Sequence, residues 1–397
     1  MLTWEYPPLV SGGLGRHVAE LAPALAEQGL EIHVVVPRAR PEHPLEHPHP
    51  NLTVHWVDTA VITPQTDIYR QASQANGLVD AAANALWQRV GGFNVIHAHD
   101  WLVGFAAIEL KLAHRCPLVV TIHATERGRW RNNILPNDMS RKIDSIERNI
   151  TFEAWRVIAC SHYMISELGR LFALPFDKLD MIPNGVHVTA APPASAEALA
   201  AFRANFAAPG QPLIFSVGRL VYEKGYHILL AAMPQVLEAF PTARLVIAGK
   251  GPLLDHLKNM ARTLNLDDHV YFAGFVTDAE RDMFFSVADC AIFPSLYEPF
   301  GIVALEAMAF NCPVLASNVG GLVEVVTHDE TGTLIYPDDP ASAAWGILQV
   351  LNNPPASAAH AQTAYRMVVE KYSWQRIAAQ TIQVYRRVLY ERSQTGW

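Results

Sequence analysis

The chain has 397 residues, of which 50% are hydrophobic and 17% charged, with a formal net charge of -8. That length is too great for one ordinary core and suits two domains of roughly 150–200 residues each. The acidic balance argues against a nucleic-acid partner, which needs a basic face. No apolar run reaches the roughly 18 residues of a membrane span and no signal-peptide pattern opens the sequence, so a cytoplasmic protein without a transmembrane segment is expected.

Short β-branched runs alternate with helical patterns along the whole chain, the sign of parallel sheets covered by helices. Met1-Leu2-Thr3-Trp4 reads as the last part of a first strand, cut short at its start. Ser11-Gly12-Gly13-Leu14-Gly15 follows it and opens a helix whose apolar stripe, Leu14, Val18, Leu21 and Leu25, stops at Gly29. Glycines there let backbone amides approach a phosphate, although a plain tight turn would use them equally. Further strands are predicted at 32–36, 95–98, 118–122 and 157–160. Arg38–Asn51, with four prolines and with His43, His47 and His49, reads as a solvated loop and not as a metal site.

Ile96-His97-Ala98-His99-Asp100-Trp101 ends a strand, with His97 and His99 on one face by the period of two. H-x-H at a strand end also occurs in metal hydrolases. That reading needs further ligands at later strand ends of one barrel, which the two-sheet rhythm denies, so no metal is expected. His123, at the end of the next strand, is either a core histidine or a contact to a sugar hydroxyl. Ile182-Pro183-Asn184-Gly185-Val186 closes the first half at a turn that Asn-Gly favours, and reads as a hinge.

The rhythm restarts after Val188–Gln211, an Ala- and Pro-rich connector with a predicted short helix at Ala194–Phe206. Strands are predicted at 213–217, 245–248, 270–272, 291–293 and 314–316, with helices at 225–240, 253–264 and 278–287. Arg219 ends the first of these strands and Lys224 starts the next helix, both expected to be exposed. Two fixed cations there stabilise the charge on a departing diphosphate. Gly249-Lys250-Gly251 lacks the glycine spacing of a phosphate loop and reads as a plain turn.

The most informative stretch runs from Tyr297 to Glu306. It follows the apolar run Cys290–Pro294 and opens a predicted helix at Gly301–Phe310, so Glu298 lies in a strand-to-helix loop and Glu306 two turns into the helix. Bare amides at Gly301 favour an anion. Two carboxylates flanking an anion site suit a ligand with both hydroxyls and phosphates, such as a nucleotide sugar. Ser373–Arg392 is a predicted helix that should pack back on the first domain. Cys116, Cys160, Cys290 and Cys312 are widely spaced in or beside apolar runs and read as buried free thiols.

Together these residues resemble a retaining glycosyltransferase of the GT-B fold in glycosyltransferase family 4, the family that includes glycogen and starch synthases. The resemblance runs over nearly the whole chain; its most specific element is the E-x7-E pattern Glu298…Glu306, preceded at the right distance by Arg219 and Lys224. It implies an α/β architecture of two doubly wound Rossmann-like domains facing a central cleft, 1–187 for the acceptor and 188–372 for the nucleotide-sugar donor, with 373–397 crossing back. Hinge motion near Asn184–Val188 and before Ser373 would close the domains on the donor.

The resemblance also implies roles. Arg219 and Lys224 would hold the diphosphate, Gly12, Gly13 and Asn184 would contribute to the donor site, and Glu306 would bind the ribose hydroxyls. Glu298 and the Gly301, Ile302 and Val303 amides would hold sugar and phosphates, and His123 would contact the transferred sugar. His99, Asp100, Trp101, Glu126 and Arg129 are candidates for the acceptor side. No metal and no cofactor are implied; the substrate would be UDP-glucose or ADP-glucose, with Val10 standing where many ADP-glucose enzymes carry Lys. Transfer of a glucosyl unit to an α-glucan is the leading expectation. Alternatives are transfer to a small sugar, sugar phosphate or lipid-linked sugar, a nucleotide-sugar epimerase, and a non-catalytic sugar-binding protein.

Overall fold

Val, Ile and Leu dominate the strands because parallel sheets covered by helices are buried on both faces. The structure, a computed structural model, describes residues 1–10, 12–62, 67–188 and 193–397; Ser11, first residue of the predicted glycine turn, lies outside them. The chain divides into two units, Met1–Gly185 with Trp374–Trp397, and Val186–Ser373.

In the first unit the strands are β1 (Ile32–Arg38), β2 (Leu45–His49), β3 (Leu52–Asp58), β4 (Ile96–His99), β5 (Leu118–Ile122), β6 (Arg156–Ala159) and β7 (Leu179–Met181). They form ladders ordered β1-β3-β2 and β4-β5-β6-β7, parallel throughout except for the β2–β3 pair. Leu2 joins the two by parallel bridges to Val35 and Ala98. Its N–H donates to the His97 carbonyl at 2.8 Å and its carbonyl accepts from His99 N at 3.0 Å. Met1–Trp4 thus supplies the expected strand end, and the strand order reverses between Leu2 and β4.

Two sequence expectations need correction here. The stretch Arg38–Asn51 is not simply a solvated loop: β2 lies inside it and pairs antiparallel with β3. It forms the exposed edge, where Pro48 costs no ladder bond that a central strand would need. The glycine turn does not follow the first strand directly either, since residues 4–10 intervene before the helix Gly13–Glu27.

In the second unit the strands are β8 (Leu213–Val217), β9 (Arg244–Ala248), β10 (Val270–Gly274), β11 (Cys290–Phe293), β12 (Val314–Ser317) and β13 (Thr333–Ile335). All are parallel in the order β10-β9-β8-β11-β12-β13, so the direction of winding reverses between β8 and β11. This is the strand order of a doubly wound dinucleotide-binding sheet. Its core joins Leu229, Leu230, Met233, Leu245, Ile247, Ile292 and Ile347.

The helix Trp374–Ser393 belongs to the first unit. Its Ile377, Ile382, Val384 and Val388 lie in one core with Val18, Leu21 and Leu25 of the first helix. All four cysteines are buried free thiols, and among the described residues no helix is long and apolar enough to cross a membrane.

The chain leaves the first unit at Gly185 and re-enters it at Trp374, and these two residues touch. A Cβ on Gly185 would stand 2.6 Å from the Trp374 indole. Overpacking of this kind costs about 1–3 kcal/mol. Gly185→Ala should therefore lower the urea midpoint read by tryptophan fluorescence; an unchanged midpoint would show that the indole moves aside freely.

Candidate active site

Open α/β sheets bind ligands beyond the carboxyl ends of their strands, where strand order reverses. At that place in the first unit four histidines meet. His97 and His99 come from β4, His123 from the turn after β5, and His17 from the helix Gly13–Glu27. Ring centroids lie 4.3 Å apart for His97 and His99, and 4.7 Å apart for His17 and His123. His97 is fully committed, with Nδ1 2.6 Å from the Tyr385 hydroxyl and Nε2 2.8 Å from Thr121 Oγ1.

His17 Nδ1 lies 2.7 Å from Asn184 Oδ1. That oxygen can only accept, so Nδ1 carries the ring proton and Nε2 is a bare lone pair. Nε2 of His17 and Nε2 of His99 are buried with no hydrogen-bond partner among the described residues. Burial holds the imidazoles of His17, His97 and His99 well below their usual range and pushes His123 down to about 3. All four rings are neutral at neutral pH.

Asp100 anchors the His123 turn. Its backbone takes φ 58°, its Oδ1 accepts from His123 N at 2.7 Å, and its own N–H donates to Thr121 O at 2.9 Å. Burial raises its carboxyl to about 6, against the opposing pull of the His123 and Ala124 amides and of Arg129. Trp101 is buried and stacks on Tyr69 at 6.2 Å. Glu126 accepts from Ser140 Oγ at 2.7 Å, and its N–H donates to Glu147 Oε1 at 2.9 Å. Of the acceptor candidates, His99, Asp100, Trp101 and Glu126 are thus buried, whereas the Arg129 side chain keeps 33% exposure. In the glycine turn, Gly12 N donates to Glu5 Oε2 at 3.3 Å, and Gly13 is exposed at the start of its helix.

At the reversal in the second unit, the turns after β8 and β11 are bonded together. Leu296 N donates to Glu223 O at 2.7 Å, and Lys224 Nζ meets Glu298 Oε2 at 2.5 Å. Gly225, next to Lys224, has φ +69°, and a Cβ on it would stand 1.9 Å from the Pro294 carbonyl oxygen. Only glycine lets the two turns approach this closely. Arg219 is half-exposed and pairs with Glu223 at 3.7 Å. Lys224 corrects the expectation of two exposed cations, since its side chain keeps only 21% exposure beside Glu298. Gly301 caps the helix Ile302–Ala309, and Glu306 within it is held by Arg281 Nη1 at 3.3 Å.

The turn Gly249-Lys250-Gly251 packs onto the Arg219 turn. Leu220 N donates to Lys250 O at 2.9 Å, and a Cβ on Gly249, whose φ is +136°, would stand 1.8 Å from Gly218 O. The glycines thus serve close approach of backbone to backbone.

Residues 11–190 match the model described as Glycosyltransferase Family 4, and residues 199–367 the model described as Glycosyl transferases group 1. The chain is 36% identical to an uncharacterized glycosyltransferase of Methanocaldococcus jannaschii, over 97% of each chain. It is 34% identical to a glycogen synthase of Mycobacterium tuberculosis, over 97% of this chain and 93% of the relative. The chain belongs to the GT-B glycosyltransferases. Among solved structures, the sucrose-phosphate synthase of Thermosynechococcus elongatus superposes with a TM-score of 0.83 at 25% identity, over 98% of this chain and 96% of that one.

In this glycosyltransferase the structure brings Lys224, Glu298 and the Gly301 helix start together in one unit, and His99, His123 and Asn184 together in the other. Sequence reasoning missed His17, which faces the other histidines from a helix otherwise read only by its apolar stripe. It also missed Arg281 on the helix Asp278–Val287. Side chains of Arg281 and Glu306 keep 12% and 10% exposure, and removing one partner of a buried pair costs about 3–5 kcal/mol. Arg281→Leu should destabilise strongly, and Glu306→Gln in the same chain should recover part of the loss. The check is a double-mutant cycle by urea unfolding with coupling above about 1 kcal/mol; simple additivity would show that the pair does not interact.

Proposed function

We propose that this glycosyltransferase moves a glucosyl unit from a nucleotide diphosphate glucose to an α-glucan, with retention of the anomeric configuration. The observation that carries the reading is the joined pair of turns at the β8–β11 reversal, which sets Lys224, Glu298 and a helix N-terminus side by side. The relative named glycogen synthase supports the polymer acceptor.

In this reading Arg219 and Lys224 hold the diphosphate. Glu306 binds the ribose hydroxyls, while Glu298 and the Gly301–Val303 amides hold sugar and phosphates. The bond from the anomeric carbon to the phosphate oxygen breaks, and its electron pair leaves with the diphosphate. The acceptor hydroxyl attacks from the same face and passes its proton to the departing phosphate. Fixed cations stabilise that developing charge with little reorganisation. His123 contacts the transferred sugar as a neutral ring. Gly12, Gly13 and Asn184 contribute to the donor site, and Arg129 stands on the acceptor side. No metal or cofactor takes part.

A sugar phosphate as acceptor is the second reading, favoured by the likeness to the sucrose-phosphate synthase. Release of nucleotide diphosphate from UDP-glucose and ADP-glucose, with and without glycogen, separates the two. Glycogen-dependent release is expected; release that ignores glycogen and rises with a small sugar phosphate would replace the first reading with the second.

Arg219→Ala should lower turnover by about 10²–10³-fold, as loss of one preorganised stabiliser does, with an unchanged urea midpoint because the side chain is half-exposed. Lys224→Ala should cost a similar factor and also stability, since it strands the Glu298 carboxylate. Near-normal turnover at saturating donor in either variant would remove that residue from the diphosphate site. Activity should survive treatment with EDTA; loss that Mg²⁺ or Mn²⁺ restores would sink the metal-independent scheme.

A further inference from the structure

We propose that His17, His99 and His123 form a site for a divalent cation of borderline softness, for which Zn²⁺ is the probe. Each ring offers a nitrogen within 4.8 Å of those of the other two. His99 Nδ1 and His123 Nε2 stand 3.2 Å apart. That is close to the spacing of two ligands on a tetrahedral zinc with Zn–N bonds of about 2.0–2.1 Å. The third ligand is His17 Nε2, a buried lone pair with no partner among the described residues.

The bond between His17 Nδ1 and Asn184 Oδ1 is of the kind that fixes the tautomer and orientation of a metal-bound imidazole. His97, although only 4.3 Å away between ring centroids, takes no part, because both its nitrogens are occupied by Tyr385 and Thr121. Three neutral imidazoles suit zinc, copper or nickel and not the oxygen-seeking magnesium or calcium. His123 is only half-buried, which leaves a fourth position for water. The sequence could not show this set, since His17 lies 82 and 106 positions before its partners.

A consequence for activity rests on the reading of His123 given above. A His123 ring whose Nε2 is bound to metal no longer offers that nitrogen to a sugar hydroxyl, so the cation inhibits a transferase that needs no metal for turnover. Full activity after EDTA and inhibition by added Zn²⁺ belong together.

The test is equilibrium dialysis of the EDTA-stripped full chain against Zn²⁺, with Co²⁺ as a spectroscopic substitute whose visible bands report tetrahedral ligation. One retained equivalent is expected, with at least tenfold weaker binding and loss of the Co²⁺ bands in His17→Phe. If His17→Phe folds poorly, the half-buried His123→Gln makes the same comparison. His55→Phe is the control, because His33 and His55 form a separate pair at 2.9 Å; it should keep the equivalent. Unchanged binding in both cluster variants, or loss in His55→Phe, overturns the site. Stoichiometric binding without inhibition upholds the site and removes His123 from the sugar.

Discussion

An open parallel sheet whose strand order reverses leaves two neighbouring strands whose connections run off in opposite directions, and the gap between them cannot be filled by either connection. Both units depend on that constraint. In the second unit the turns along this edge of the sheet, from either side of the gap, satisfy one another's backbone groups. Leu296 bonds to Glu223, Gly321 to Glu298, Leu220 to Lys250 and Gly249 to Gly274. Buried backbone N–H and C=O groups must be paired, and pairing turn to turn leaves the side chains of Arg219, Lys224 and Glu298 as the variable part of the surface. Charged side chains set on a backbone edge whose own polar groups are paired are what the proposed polyanionic ligand requires.

The two reversal points differ in electrostatic character. The second unit carries ions held by partners of opposite sign, Lys224 with Glu298 and Arg281 among Asp278, Asp282 and Glu306. The first carries rings kept neutral by burial, beside the Asp100 carboxyl, whose affinity for protons burial has raised. Fixed charge recognises phosphate, whereas neutral donors and acceptors suit hydroxyl groups. Under the proposed reading, the second unit suits a diphosphate and the first a sugar. The Lys224–Glu298 pair also has a consequence for binding. Under that reading a diphosphate gains Lys224 only by sharing it with a carboxylate already 2.5 Å away, whereas Arg219, half-exposed, is held more loosely by Glu223 at 3.7 Å.

The strands that sequence made legible are those with continuous β-branched runs, such as Leu118–Ile122 and Leu213–Val217, buried on both faces. Strands with mixed composition escaped. Leu52–Asp58 alternates buried Leu52, Val54 and Trp56 with Thr53 and His55, and its partner strand carries Pro48 and two histidines that obscure any pattern. Strands of three residues, Leu179–Met181 and Thr333–Ile335, are too short for a period to show. In the candidate site, Glu298 and Glu306 were legible because both lie in one strand-turn-helix segment. Arg281, the ion partner of Glu306, and the bare nitrogen of His17 were not, since each comes from an element remote in sequence and is set by packing alone.

The final helix shows how far such remote packing reaches. It enters the first unit at Trp374, whose indole lies 5.5 Å from the His17 ring, and about three turns further on it offers the Tyr385 hydroxyl to His97 Nδ1. Near its end Arg387 bonds to Asp180, and Glu391 accepts from the Trp155 indole. Its apolar face completes the core around Val18, Leu21 and Leu25, the same helix that carries His17. The imidazoles therefore owe their dry surroundings to residues more than two hundred positions away. Without that helix, His97 would lose its Tyr385 partner and His17 its Trp374 neighbour. The histidine constellation is thus a property of the completed first unit and of no shorter segment within it.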